Sequence, residues 1–339
     1  MPDLISKSPA WIGAGIVAIG YLLSSEQSYA SAPFGQETVE IRDYRTPQPQ
    51  HPKGLANHHA HVNGSHEGHE HGIETESLFG FTLGSDTDKA GSRAAAMEIV
   101  SRTGKRDRNY SGIGIKQEFS YGITDNLSAS LALLGDYHHV SAKAWNSTRE
   151  VETIRRGFIF NGFGSEIRWR LLDRHSSPVG LTIHVEPVIA SSDEASGLRA
   201  RKYGSENKII FDKEIISEKL FIAFNLFQEI EIAKERMAPA WERGTTLGTG
   251  VAATYQVYNG IFMGGEARYM RAYDRLKLET FKGDAVYLGP IIHSRVAEAA
   301  WISVAWNVLV GGGEKGSSLK YDLNNFERHQ IRVKAGFEF

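Results

Sequence analysis

The chain has 339 residues, with 38 Lys and Arg against 40 Asp and Glu, and therefore a formal net charge of −2. This balance gives no reason to expect nucleic acid or another polyanion as a partner. Hydrophobic residues make up 41% and charged residues 23%, which excludes both a disordered polyelectrolyte and a helical membrane protein. The absence of cysteine excludes disulfides, thiolate metal sites and a cysteine nucleophile.

The N-terminal segment has the pattern of a secretory signal peptide. Lys7 precedes an apolar run over 9–23, and a polar stretch then ends in Ala30-Ser31-Ala32. A basic start, a short apolar middle and an Ala-x-Ala end are typical of a cleaved signal. The run is shorter than the ~20 residues of a transmembrane helix, although a retained anchor is the alternative. We predict a signal peptide over 1–32 and secretion of the mature chain.

The next segment, 33–76, is predicted to be a disordered, Pro- and His-rich periplasmic segment. Seven of the 13 histidines fall within 51–71. Neutral imidazoles are good ligands for Zn²⁺, Cu²⁺ or Ni²⁺, so the segment is a candidate metal-binding tract. A solvated spacer and a pH-sensitive plug are the alternatives. The candidate ligands are His58, His59, His61, His66, His69 and His71.

From about residue 92 onwards, apolar and polar residues alternate with a period of two in long segments separated by turns. In the last segment, Ile331, Val333 and Phe337 fall on one face, whereas Arg332 and Lys334 fall on the other. Long strands with recurring charged faces are typical of a membrane barrel that has lipid outside and a wet lumen inside. The predicted strands are 92–103, 110–122, 126–139, 155–172, 178–192, 202–212, 219–233, 243–257, 260–273, 284–295, 300–310 and 325–339.

The connections between these strands alternate between short turns and long polar loops, as in outer-membrane barrels. Because the strand number is even, both mature termini are predicted at the short-turn, periplasmic side. A soluble β-sandwich or lipocalin-like barrel also alternates, but its strands are usually shorter. The sequence predicts an all-β protein with a single antiparallel up-and-down transmembrane β-barrel of about 12 strands over 77–339. Long loops are predicted at 140–154, 193–201, 234–242, 274–283 and 311–324.

The final strand, NFERHQIRVKAGFEF (325–339), ends on Phe339 and resembles the C-terminal strand of Gram-negative outer-membrane proteins, which the barrel assembly machinery recognises. Together with FTLGSDTDKAGSR (81–93), YGITDNLSASLALLGDY (121–137) and RWRLLDRHSSPVGLTIHVEP (168–187), it resembles a poorly characterised family of porin-like outer-membrane barrels. The resemblance covers roughly 77–339. It implies a barrel in contact with the lipid of the outer membrane of a Gram-negative bacterium, and it implies no substrate.

The inward positions of the predicted strands carry charges of both signs. In a porin such charges line a hydrated path and set ion preference, whereas in a closed barrel they pair across strands. Twelve strands lie between the filled barrels of ~8 and the open barrels of ~16–18, so the strand number does not decide between these cases. The candidate lumen-lining residues are Lys116, Glu118, Asp136, Glu166, Arg168, Arg170, His184, Glu186, Glu206, Lys208, Glu229, Glu231, Glu266, Arg268, Arg332 and Lys334.

We therefore predict a porin-like channel or transporter for small hydrophilic solutes or ions, with no required cofactor. A metal-binding outer-membrane protein acting through the His-rich tail and a closed structural barrel are the alternatives. The sequence has no G-x-S-x-G motif, and no enzymatic activity is predicted. The segment 77–91 is compatible with a further strand or with an inserted plug that joins the His tract to the lumen.

Overall fold

A computed structural model describes residues 73–105, 108–146, 149–193, 198–236 and 239–339. These residues belong to a compact unit, Gly68–Phe339. The predicted signal peptide over 1–32 and the six candidate metal-binding histidines lie outside the described residues. In the described part of the chain, no helix has the length and hydropathy needed to cross a membrane.

Among the described residues, twelve antiparallel strands form one closed barrel, in which each strand pairs with its neighbours in sequence and the last strand pairs with the first. The predicted fold class and strand number are confirmed. The strands are β1 (Arg93–Thr103), β2 (Arg108–Thr124), β3 (Leu127–Asn146), β4 (Arg149–Leu172), β5 (Gly180–Ser192), β6 (Arg199–Ile216), β7 (Leu220–Glu235), β8 (Glu242–Tyr258), β9 (Ile261–Asp274), β10 (Thr280–Ala297), β11 (Ala300–Gly311) and β12 (His329–Glu338).

The two rims of the barrel differ in their connections. At one rim, short turns join β2 to β3, β6 to β7, β8 to β9 and β10 to β11, and a longer turn over 173–179 joins β4 to β5. The opposite rim carries the longest connection, 312–328, between β11 and β12. We call the first the short-turn rim and the second the long-loop rim. The start of β1 and the end of β12 both lie at the short-turn rim, where the Phe339 amide donates to the Arg93 carbonyl at 2.9 Å.

The predicted long loop at 140–154 is wrong. The pairing of β3 with β4 continues residue by residue from Gly135↔Phe160 to Asn146↔Arg149. The polar sequence over 140–154 suggested a loop because a lipid-facing strand must be apolar on one face. Beyond the lipid, a polar hairpin keeps its backbone ladder, so β3 and β4 extend further than the apolar pattern does.

The barrel presents apolar side chains outwards and buries charged ones inside. Leu131 and Phe163 are 70% and 58% exposed on the outer face. Glu118, Arg168 and Lys334 are buried on the inner face. This arrangement is the reverse of a water-soluble fold and is the one expected of a transmembrane β-barrel.

Two apolar clusters interrupt the charged lumen, one towards each rim. The first contains Leu78 and Phe79 against Phe221, Phe262 and Ile291 on β7, β9 and β10. The second contains Phe326, from the loop between β11 and β12, against side chains of β7, β9, β10 and β11. The other buried members of the second cluster are Phe227, Met270, Ala272, Ala285, Tyr287 and Leu309. Each cluster attaches a non-strand segment to the inner wall.

Candidate transport pathway

The N-terminal segment over 73–92, here called the plug segment, lies inside the barrel towards the short-turn rim. It consists of turns and bends and adds no thirteenth strand. Leu78 and Phe79 are almost fully buried in the first apolar cluster. Of the two alternatives for 77–91, the structure therefore shows the inserted segment.

Glu266 on β9 holds the middle of the plug segment. Its carboxylate accepts hydrogen bonds from the backbone amides of Phe81 at 3.0 Å and Thr82 at 2.9 Å, and from the Thr82 hydroxyl at 3.1 Å. The Asn225 side chain on β7 makes two hydrogen bonds with the backbone of Leu83. It accepts from the Leu83 amide at 2.8 Å and donates to the Leu83 carbonyl at 2.9 Å. Wall side chains thus replace the backbone partners that a strand would supply.

Two inward-facing arginines hold the carbonyl groups of the plug segment. Arg168 on β4 donates to the carbonyls of Gly84 at 2.7 Å and Asp86 at 2.8 Å. Arg332 on β12 donates to the carbonyl of Gly80. Because buried carbonyls are costly when unpaired, these contacts stabilise an irregular backbone in a buried place.

A charged cluster fixes the plug segment at the short-turn rim. The Asp86 carboxylate lies 2.5 Å from Arg174 Nη1 and accepts from the Thr75 amide at 2.7 Å. Ser85 donates from its hydroxyl to Asp212 of β6 at 2.6 Å. Burial alone would raise the pKa of Asp86, but Arg174 and the Thr75 amide outweigh it and hold the pKa below its usual value.

Two glycines allow the plug segment to lie this close to its partners. A Cβ atom on Gly80 would lie 2.3 Å from Glu266 Oε1 and 2.7 Å from the Ala305 Cβ. A Cβ atom on Gly84 would lie 2.2 Å from the Thr75 carbonyl oxygen. A side chain at position 80 would push the plug segment away from the wall, and a side chain at position 84 would push it away from its own residue Thr75.

A charged cavity of about 470 Å³ lies between the plug segment and the long-loop rim. It shares several lining residues with a mouth of about 990 Å³ at that rim, among them Arg102, Glu206 and Glu229. On the other side of the plug segment, a cavity of about 560 Å³ faces the short-turn rim. Glu76 and Lys334 line both the central and the short-turn cavities.

Ion pairs connect the plug segment with the wall formed by β4 and β12, where the central and short-turn cavities share lining residues. Glu76 Oε1 lies 3.6 Å from Lys334 Nζ, and Glu76 Oε2 lies 3.9 Å from Arg168 Nε. These ion pairs join the plug segment to two strands across the gap. A solute that passes here would replace part of its hydration shell by contacts with these charged side chains, or it would break the ion pairs.

The loop over 312–328, here called the mouth loop, folds inwards at the long-loop rim, where a loop ending at residue 324 was predicted. Phe326 packs in the second apolar cluster. The Tyr287 hydroxyl donates to the Glu327 carbonyl at 2.6 Å, and Lys105 Nζ lies 3.2 Å from the Glu327 carboxylate. Asn325 and Phe326 line both the mouth and the central cavity. The mouth loop therefore narrows the route from the long-loop rim.

The predicted lumen residues occupy different places in this route. Glu118 faces the short-turn cavity, and Glu266 lies against the plug segment. Asp136 is buried beside Asn161, while Arg170 lies at the short-turn rim, where its Nε donates to Asn126 at 3.1 Å. The central cavity is lined by Lys116, Glu166, Arg168, His184, Glu186, Glu206, Lys208, Glu229, Glu231, Arg268, Arg332 and Lys334.

Several residues of the route were not predicted from the sequence. Glu98 of β1 pairs with Arg332 at 2.6 Å, and Arg174 of the β4–β5 turn contacts the plug segment. One sequence feature could have revealed the plug segment. Phe221, Phe262 and Ile291 fall on inward positions towards the short-turn ends of their strands, beside a lumen whose central lining is charged, so an internal apolar partner is needed there.

Comparison with solved structures shows the same kind of fold. The COG4313 outer membrane channel from Pseudomonas putida F1 is 10% identical, with a TM-score of 0.50 over 75% of this chain and 98% of that one. The translocator domain of the autotransporter NalP from Neisseria meningitidis (12% identity, TM-score 0.43, 75% and 91% covered) and the NanC porin (10%, 0.39, 72% and 98%) are less similar. At these identities the likeness concerns the fold alone.

No curated protein matches the chain. A family match, by contrast, covers residues 71–339, which is the whole barrel together with the plug segment. The expected relationship to a poorly characterised barrel family is confirmed. The chain belongs to the Family of unknown function (DUF6662).

Proposed function

We propose that this protein is an outer-membrane channel for small hydrophilic solutes or ions, and that the plug segment controls its opening. The observation that supports the proposal best is the charged cavity that continues to the long-loop rim and ends on the plug segment. A purely structural barrel has no need for an internal space of this size and polarity.

The lining favours polar cargo. Acidic and basic side chains alternate around the central cavity, as in the pairs Lys208–Glu206 at 2.8 Å and Arg332–Glu98 at 2.6 Å. Entry of an apolar solute would strip water from these charges without replacing it. A hydrated ion or a small polar solute keeps them solvated, so the proposed cargo belongs to this class.

The proposed orientation places the short-turn rim in the periplasm and the mouth loop outside the cell. Short periplasmic turns and longer external loops are the rule for outer-membrane barrels. In this orientation the plug segment enters the lumen from the periplasm. Phe339 is exposed at the short-turn rim. Its recognition by the barrel assembly machinery stays a prediction.

The proposal can be tested by locking the plug segment to the wall with a disulfide. Gly250 on β8 faces Thr82, and a Cβ atom at position 250 would lie 3.8 Å from the Thr82 Cβ. This spacing matches the usual Cβ–Cβ distance of ~3.8 Å in disulfides. Because the chain has no cysteine, Thr82→Cys with Gly250→Cys gives a single possible bond.

Single-channel conductance of the refolded protein in a planar bilayer is the measurement. We expect few or no openings in the oxidised form and restored openings after reduction. The matched control is Ala132→Cys with Gly164→Cys, which joins paired residues of β3 and β4 at a Cβ spacing of 3.6 Å and leaves the plug segment untouched. The control should conduct equally in both redox states.

Two outcomes would contradict parts of the proposal. If the locked form conducts like the reduced one, solutes pass beside a fixed plug segment and its controlling role is wrong. If neither form conducts, although heat-modifiable gel mobility shows a folded barrel, the channel function is wrong and the closed structural barrel takes its place.

A further inference from the structure

A buried histidine in the central cavity faces two carboxylates. His184 on β5 is 1% exposed, and its Nε2 lies 3.6 Å from Glu186 Oε2 and 3.9 Å from Glu166 Oε2. One ligand atom from each of the three side chains falls within 4.8 Å of the others. All three side chains face the cavity. The cluster therefore combines an imidazole and two carboxylates in one recess of the cavity wall.

The spacing in this cluster is unusual for a buried histidine. Within the described part of the chain, neither ring nitrogen of His184 has a hydrogen-bond partner. Buried ring nitrogens are normally bonded, because an unpaired polar atom costs about 1–3 kcal/mol. The distances of 3.6 and 3.9 Å are too long for hydrogen bonds. These two nitrogen–oxygen distances are close to the ~3.4 Å that separates two ligand atoms bound to the same tetrahedral metal ion.

A positive charge already lies beside these carboxylates. Lys116 Nζ on β2 lies 3.0 Å from Glu186 Oε1, 4.0 Å from Glu166 Oε2 and 3.3 Å from Glu118 Oε2. Lys116 pairs with Oε1 of Glu186, whereas His184 lies beside Oε2 of the same carboxylate. The ammonium group shows that the recess favours a cation, and Glu118 offers it an alternative partner if Glu166 and Glu186 bind another ion.

We propose that Glu166, His184 and Glu186 form a binding site in the lumen for a divalent first-row transition metal ion, with Zn²⁺ as the probe. One imidazole and two carboxylates suit such ions better than Ca²⁺ or Mg²⁺, which prefer oxygen ligands alone. Open coordination positions face the cavity and its water. Lys116 competes with the metal ion for the two carboxylates. The site goes beyond the proposed channel function and does not depend on whether the barrel conducts.

The test needs a full-length protein whose tail histidines do not bind the probe. We would replace the seven histidines within 51–71 by glutamine and use this protein as the parent. Zn²⁺ binding in detergent is measured by isothermal titration calorimetry, and folding is checked by heat-modifiable gel mobility. The parent is expected to bind Zn²⁺, and His184→Gln is expected to lose one bound ion per chain or to weaken its binding at least tenfold.

The matched control is His138→Gln. His138 is also buried in the lumen without a hydrogen-bond partner among the described residues, but Asp136, at 3.8 Å, is the acid beside it. That carboxylate already accepts hydrogen bonds from Asn161 and Ser192. We expect His138→Gln to bind Zn²⁺ like the parent.

A second variant keeps the proposal testable if His184→Gln does not fold. Lys116→Met removes the competing ammonium and is expected to tighten Zn²⁺ binding at least tenfold, a gain that misfolding cannot produce. The proposal is overturned if the parent binds no Zn²⁺ or if His184→Gln binds it unchanged. It is also overturned if Lys116→Met fails to tighten binding in a folded protein. Failure of the channel would appear in bilayer conductance, which this titration does not measure.

Discussion

The plug segment and the mouth loop narrow opposite ends of one lumen in different ways. Both insert aromatic or aliphatic side chains into an apolar cluster on the inner wall. Wall side chains hold the plug segment, and among the described residues its backbone pairs with a strand only at Gly91 and Ser92. The mouth loop continues β11 and β12 at its two ends, and its backbone pairs with β10 through Gly313 and Lys315.

This difference decides which element can leave the lumen. The plug segment can detach when side-chain hydrogen bonds break, and no strand pair is lost. The mouth loop can move only as far as its two strand ends and its pairing with β10 allow. We therefore expect the plug segment to act as the gate and the mouth loop to act as a fixed constriction.

The largest effect is expected from Glu266→Ala. The substitution leaves the buried amides of Phe81 and Thr82 without their acceptor, which costs about 1–3 kcal/mol for each amide. A total of about 3 kcal/mol corresponds to roughly a hundredfold shift towards the released plug segment. Single-channel recordings should show a correspondingly higher open fraction.

The control for this prediction is Glu229→Ala. Glu229 is another lumen carboxylate that lines the central cavity, and it has no hydrogen bond with the plug segment. Its removal should change ion preference and leave the open fraction as in the wild type. Equal open fractions for both variants would show that Glu266 does not hold the gate.

A smaller effect on conductance is expected from Phe326→Ala. The substitution removes the apolar contact of the mouth loop with Tyr287 and Leu309 and should lower barrel stability by about 3 kcal/mol. The loop keeps its strand ends, so conductance should rise less than in Glu266→Ala. Thermal unfolding and conductance are the measurements, with lipid-facing Phe224→Ala as the control. A larger conductance change than in Glu266→Ala would reverse the assignment of gate and constriction.

A moderate effect of pH on the gate is expected from Asp88. Burial and the neighbouring carboxylates of Glu76 and Glu118 raise the pKa of Asp88 to about 7, although Ser120 and Arg168 act in the opposite direction. A raised pKa means that the docked plug segment binds the proton more tightly than the released one. The contribution of Asp88 to docking is therefore complete below about pH 4 and is lost as the pH rises through about 7.

Conductance recorded between pH 4 and pH 8 tests this expectation. The open fraction of the wild type should rise with pH, and Asp88→Asn should flatten that rise. Asp274→Asn, at the long-loop rim, should keep the wild-type profile. A profile that is the same with and without Asp88 would exclude it as the pH-sensitive group.

The smallest effect is expected from Glu279→Gln in an exposed loop of the long-loop rim. Its ion pair with Arg275 spans 3.4 Å, and the two side chains are 47% and 70% exposed. Exposed pairs of this kind contribute at most about 1 kcal/mol. Stability and conductance should equal those of the wild type. A clear change in conductance would show that the constriction extends beyond the mouth loop.

Much of the wall could be predicted from the sequence because lipid imposes a strict alternation on it. Ile331 and Phe337 are exposed on the outer face, while Arg332 and Lys334 point inwards, as the period of two indicates. The rule fails where lipid does not act. The polar ends of β3 and β4 obey no such alternation. The alternation therefore predicts shorter strands, 126–139 and 155–172, than the structure shows.

The plug segment could not be placed from the sequence, because its partners lie far away along the chain. Phe79, Phe81 and Leu83 have the spacing of a strand, and their own sequence gives no reason to place them in a lumen. Their positions depend on Glu266 and Asn225, which alternation can only identify as inward-facing. Which inward side chains bond a segment and which face water follows only from the closed barrel.

The position of the plug segment also has a consequence for how the barrel assembles. The seam between β1 and β12 joins the first and the last strand of the barrel, which lie furthest apart in sequence, so its pairing carries the largest entropic cost of closure. The plug segment directly precedes β1 and contacts the far side of that seam through Ser303 of β11 and Arg332 of β12. We therefore expect it to act as an internal brace that holds the two edges together, so that the same residues that obstruct the lumen help the first and the last strand to meet.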